Sequence, residues 1–170
     1  MINRELIRIK VVQLTYAYYQ NGDKNIDAAE RELLLSLSKA YDLYNYLLEF
    51  IVAVTQEERE RIDRRAKQAT VEGKAHPSEK FITNRFELQL EENKMLNSFI
   101  EDKGQLWSDS KEFVRSLCNQ IEQSQTYTDY MSTPAGDYEE DREVWRKLYK
   151  QFVEENSDLD ALLEDKSIYW

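Results

Sequence analysis

One histidine, His76, and one cysteine, Cys118, limit the covalent and metal chemistry open to this chain. A Ser-His-Asp or Cys-His pair would have to use His76, which stands beside Pro77 in a polar stretch. No Cys/His zinc set can be assembled from one residue of each kind. We read His76 as a solvated loop side chain and Cys118, on an apolar helical face, as a packed interior thiol. Gly22, Gly73, Gly104 and Gly136 are isolated from one another, so no glycine-rich loop cradles phosphate. Carboxylates cluster at Glu30 and Glu32, from Glu57 to Glu60, and from Asp137 to Asp141. The Glu-x-x-His motif of carboxylate-bridged metal bundles is missing, and these acids read as helix starts, where a carboxylate favours the helix dipole. No catalytic residue, metal or cofactor is expected, and the chain does not read as an enzyme.

Cations offer a second kind of chemistry. Arg4, Arg8 and Lys10 stand against Glu5 in the first twenty residues, and Arg4 and Arg8 are one helical turn apart. Residues 59–67 carry Arg59, Arg61, Arg64, Arg65 and Lys67 against Glu60 and Asp63. Glu57 lies one turn before Arg61, so ion pairing within the helix competes with binding of an outside anion. The net charge of −10 opposes indiscriminate attraction to phosphate backbones but permits a local basic face.

The elements that must position these groups are helices. Four glycines and two prolines are too few for the tight turns of a β-sandwich. Helix one should run from about Asn3 to Gln20, with Leu6, Ile9, Val12, Tyr16 and Tyr19 as its apolar face, and end at Asn21-Gly22-Asp23. Leu33, Leu37, Ala40, Tyr44, Leu47, Ile51 and Val54 define a second helix central to the core. Thr55 and Glu58 form a capping-box pattern, which predicts a new, highly charged helix over about Gln56 to Val71. A loop is expected at Gly73 to Pro77, and Phe81 to Leu90 reads as irregular or a short helix. Helices are predicted from about Asn93 to Lys103, closed by Gly104, and from the Asp109/Glu112 pair to about Tyr130. After a break at Thr133-Pro134-Ala135-Gly136, Asp137 and Glu140 should cap an amphipathic helix through Val144, Trp145, Leu148, Tyr149, Phe152 and Val153, followed by a short segment, Leu159 to Glu164. The expected architecture is all-α, an irregular helical bundle of about six or seven helices in a single helical domain spanning 1–170. Ile168-Tyr169-Trp170 is an apolar ending that either folds back on the core or marks the N-terminal part of a longer chain.

Eleven tyrosines are a surplus suited to core packing with some interface use. One cysteine, no signal-peptide pattern and no long apolar run predict a soluble, cytoplasmic protein.

The opening helix, Arg4 through Tyr16, resembles the first helix of the NusB transcription antitermination family. Arg8, Val11, Val12, Gln13 and Tyr16 fall at the spacing of that family's arginine-rich start, small or apolar pair, Gln, apolar pair and Tyr. The chain looks like the N-terminal part of a long, Bacteroidetes-type NusB. The resemblance implies an RNA-binding factor in transcription antitermination or termination, acting with a small-subunit ribosomal protein on an elongating RNA polymerase complex. It implies that Arg4, Arg8 and Lys10 contact single-stranded RNA, with Tyr16 and Tyr18 at the core or its edge. The alternative is a helical protein–protein interaction module without RNA binding, which the net charge, the tyrosines and the stripe from Val144 to Val153 support.

Overall fold

The computed structural model describes residues 4–20, 22, 25–104, 106–167 and 169–170. Among them are eight α-helices and no strand: α1 (Arg4–Gln20), α2 (Ile26–Glu72), α3 (Arg85–Glu91), α4 (Lys94–Lys103), α5 (Lys111–Glu122), α6 (Gln125–Ser132), α7 (Tyr138–Phe152) and α8 (Ser157–Lys166). The all-α expectation holds. No helix among the described residues is long and apolar enough to cross a membrane. The chain divides into two compact units, Met1–Asn45 with Ala161–Trp170, and Tyr46–Asp160.

The second unit holds most of the core. Two aromatic groups organise it: Trp107 stacks on Tyr46 at 4.3 Å and lies 4.7 Å from Phe50, while Phe81 sits 5.1 Å from Tyr127 and 5.2 Å from Trp145. Val114, Leu117, Cys118 and Ile121 form the buried face of α5, and Val144, Trp145 and Leu148 that of α7. Cys118 is buried, and its thiol donates to the Val54 carbonyl at 3.4 Å. Burial also pushes its pKa up to about 12, so it stays a thiol.

The break expected at Thr55 is absent. α2 is continuous for 47 residues, and Thr55 Oγ1 donates to the Ile51 carbonyl one turn back instead of capping a new start. Glu58 does not reach back either; it is buried and accepts from the Tyr127 hydroxyl at 3.3 Å. Threonine and glutamate at this spacing cap a helix only where one begins, and Gln56 to Arg61 keep helix-compatible side chains throughout. Conversely, the single helix expected up to Tyr130 is two. Gln123 closes α5, and Ser124 caps α6 by accepting from Tyr127 N at 3.1 Å. Asp109 lies in a 3-10 turn, Ser108–Ser110, that leads directly into α5, with Ser110 making no side-chain cap.

Other boundaries match their signals. Gly104 closes α4 with φ +83, Gly73 follows α2 with φ +63, and Asn93 and Asp137 cap α4 and α7. Phe81 to Leu90 resolves into a turn and then α3, capped by Asn84. Its inner face is Asn84, Glu87 and Leu90, at helical spacing.

In the first unit α1 buries no residue. Leu14, Ala17 and Tyr18 share a cleft with Ala28, Ala29 and Glu32 of α2. Lys10 Nζ donates to the Tyr169 carbonyl at 3.2 Å, and the Tyr169 hydroxyl to Glu32 Oε1 at 3.3 Å. The expected start at Asn3, the Asn21 and Asp23 positions and Ile168 lie outside the described residues.

Candidate nucleic-acid interface

The outward face of α1 differs from the inward face the periodicity predicts. Val12, Tyr16 and Tyr19 are 68%, 67% and 78% exposed, and Ile9 is exposed as well. α1 carries apolar residues around most of its circumference, so spacing alone does not select a face. The side that lines the cleft with Ala28 and Ala29 of α2 is that of Leu14, Ala17 and Tyr18.

Arg4, Arg8, Val12, Tyr16 and Tyr19 therefore share one solvent-facing stripe, within about 120° on the helical wheel. Arginines occupy its first half and tyrosines its second, over roughly 20 Å at 1.5 Å per residue. The Tyr16 hydroxyl accepts from Gln20 Nε2 at 3.0 Å, and the Tyr19 ring meets Tyr18 edge-on at 5.6 Å. Arg4 and Arg8 are exposed and form no ion pair among the described residues. Lys10 is set apart from them: it is half-buried and bound to the Tyr169 carbonyl. The structure thus groups Arg4 with Arg8 and leaves Lys10 on the other flank of the helix.

The second basic segment is occupied. Arg61 contacts Glu57 and Glu122, each at 3.1 Å, and donates to Asn119 Oδ1 at 2.7 Å and to the Arg115 carbonyl at 3.0 Å. Arg65 binds Glu122 at 2.6 Å and Glu58 at 3.4 Å. Arg59 binds Glu91 at 3.0 Å and stands 3.8 Å from the buried Glu87. These carboxylates hold all three guanidinium groups above their ordinary pKa, through hydrogen bonds to Glu91, Glu57 and Glu122. Three of the five cations of 59–67 are thereby spent on tying α2 to α3 and α5. The pairing within the helix that the sequence suggested exists at Glu57–Arg61 but is the smaller part of the network.

Several acids lie at positions that a helix-start interpretation misses. Glu49, Glu58, Glu87 and Asp141 are buried. Asp141 is satisfied: it accepts from the Tyr130 hydroxyl at 2.6 Å and from Arg85 N at 2.9 Å. Glu87 has no hydrogen bond to either oxygen among the described residues, and burial pushes it up to about 8. Burial likewise raises Glu49 and Glu58 to about 7. A charged residue at an inner helical position carries no sequence signal beyond its neighbours' spacing, as Asn84-x-x-Glu87-x-x-Leu90 illustrates.

His76 is exposed and shares a hydrogen bond with Thr70 at 3.2 Å. No group of three His, Cys, Asp or Glu side chains among the described residues is placed to hold a metal ion. No protein-family model, curated protein or solved structure matches the chain.

Proposed function

We propose that this chain is a NusB-like RNA-binding factor whose α1 stripe engages single-stranded RNA. One observation carries the proposal: Arg4 and Arg8 are exposed and without ion pairs among the described residues, on the same face as exposed Tyr16 and Tyr19. Unpaired arginines bind phosphate oxygens at no cost in broken protein ion pairs, and exposed rings supply stacking surfaces for unpaired bases. The net charge of −10 discourages binding elsewhere on the molecule and so confines RNA to this stripe. The resemblance of α1 to the NusB family supports the same assignment. It also suggests action in transcription antitermination or termination beside a small-subunit ribosomal protein and RNA polymerase. Lys10 contributes little to RNA contact in this proposal, because its ammonium is already bound to the Tyr169 carbonyl.

Fluorescence anisotropy of a short single-stranded RNA across a salt series tests the proposal. Arg4→Glu/Arg8→Glu should abolish measurable binding, while the milder Arg4→Ala/Arg8→Ala should lower the salt slope by about 1.4, from two lost phosphate contacts. Tyr16→Ala/Tyr19→Ala should weaken binding by roughly 1–3 kcal/mol per lost stack without changing that slope. Equal affinity and slope in wild type and the arginine variants would end the RNA proposal.

A second reading is favoured by the apolar exposure along the start of α2. Leu34, Leu35, Tyr41 and Tyr44 are all exposed, which suits a protein-docking helix. Loss of a protein partner in Leu34→Ser/Tyr41→Ser, with no RNA bound by wild type, would favour that reading.

A further inference from the structure

The second unit contains a cavity of about 320 Å³ between α2 and α5, within the size range of small-ligand sites. Glu49, Gln56 and Glu60 line it along α2, and Trp107 and Lys111 stand among the residues opposite. Glu49 is the most deeply buried acid of that lining, 6% exposed, whereas Gln56, Glu60 and Lys111 are exposed. The cavity therefore runs from a buried end at Glu49 to an open mouth.

The carboxylate at the buried end is only half satisfied. Glu49 Oε1 accepts from Leu106 N at 3.2 Å; Oε2 is buried with no hydrogen-bond partner among the described residues. No cation of the protein pairs with it among the described residues. Glu57, the other acid deep in the lining, is neutralised by Arg61 at 3.1 Å and Arg115 at 3.3 Å. An unpaired buried carboxylate is costly, and a cationic hydrogen-bond donor is the group that relieves it.

We propose that this cavity binds a small aliphatic ammonium ion, with the Glu49 carboxylate as its counter-ion. Val52, Ala53, Ile100 and Val114 supply apolar walls for a short methylene chain. The Trp107 indole, its face stacked on Tyr46, closes the apolar wall. Glu60 at the mouth, which forms no ion pair among the described residues, draws cations inward. An anion would meet Glu49 instead, and the paired Arg115 has no charge to spare for it. Lys111 is the protein's own competitor for the site, exposed on the far wall. Because burial holds Glu49 at about 7, a bound ammonium at neutral pH displaces a proton from it.

Calorimetric titration of the full chain with n-butylammonium chloride at pH 7, in two buffers of different ionisation enthalpy, tests the proposal. The expected result is saturable one-to-one binding whose heat depends on the buffer, reporting proton release. Glu49→Gln should weaken binding at least tenfold and remove the buffer dependence. Ala53→Leu, which fills the cavity and keeps the carboxylate, should also abolish binding, and it covers the case in which Glu49→Gln does not fold. Absence of saturable binding, equal affinity in Ala53→Leu, or heats independent of buffer would overturn the assignment. The arginines of α1 play no part in it, so RNA binding and ammonium binding stand or fall separately.

Discussion

Asn84 shows how much one buried polar side chain holds in place. Its Oδ1 accepts from Phe86 N at 3.0 Å and Glu87 N at 3.2 Å, capping α3. Its Nδ2 donates to the Asp141 carbonyl at 3.1 Å and to the Tyr130 hydroxyl at 3.3 Å, joining α3 to α7 and α6. Lys80 does similar work at the end of α6. Its ammonium donates to the Tyr130 carbonyl at 2.6 Å and to Thr133 Oγ1 at 2.8 Å, pairs with Glu140 at 2.9 Å, and lies 3.9 Å above the Tyr130 ring. A cation at a helix C-terminus, with its hydrogens occupied, is a stable arrangement even when buried. Asn84→Ala removes a cap worth about 1 kcal/mol and strands buried groups at about 1–3 kcal/mol, so a loss of roughly 2–4 kcal/mol is expected in urea unfolding. Asn84→Asp should restore the cap but place a second carboxylate beside Asp141, and so rescue only partly.

Helices α1 and α2 show where local signals mislead. Gln56 is an exposed residue in the middle of α2. Were Thr55 a cap, Gln56 would be the first helical residue, where proline is well tolerated. In the continuous helix Gln56→Pro deletes a backbone hydrogen bond and clashes with the preceding turn, at about 3 kcal/mol or more. A fall in the urea midpoint matching that cost, with helix content lost by circular dichroism, is the expected outcome; near-wild-type stability would contradict the unbroken α2. The cause of the mistaken break is that Thr55 and Glu58 serve the tertiary packing. Thr55 is buried and bonded within its own helix, and Glu58 is bonded to α6 through Tyr127. In α1 the error has another source: apolar residues surround the helix, so their spacing does not say which side lines the cleft with α2.

Across the whole molecule the buried carboxylates set a pH dependence opposite to that of ordinary paired acids. Glu49, Glu58 and Glu87 titrate near 4.5 when solvated, but at about 7, 7 and 8 in the folded chain. The folded state therefore holds more protons than the unfolded state between these limits. Stability from these groups is fully present below about pH 4.5 and is lost as pH rises through 7 to 8. Thermal unfolding should show a higher Tm at pH 5.5 than at pH 8.5, and Glu87→Gln should narrow the difference by stabilising the chain at the alkaline end. A Tm that rises with pH would contradict the burial of these acids. Self-repulsion from the net charge of −10 acts in the same direction, since it too grows as acids ionise.

Composition and turn residues were enough to read an all-helical chain and the ends of several helices. Scarce glycine and proline leave few turns, and Gly73, Gly104, Asn93 and Asp137 act through their own backbone and nearest neighbours. The buried face of α7 was legible for the same local reason: its apolar residues repeat every three or four positions. Grouping Arg4 with Arg8 likewise needed only helical spacing. Their availability did not follow from spacing, because an arginine is free or spent according to which carboxylates other helices bring near it. Arg59, Arg61 and Arg65 find Glu91 and Glu122 more than thirty residues away, whereas α1 meets no such partners among the described residues. Distance along the chain hides such pairs, and the buried acids hide for the same reason: a glutamate becomes an inner residue only when its neighbours pack.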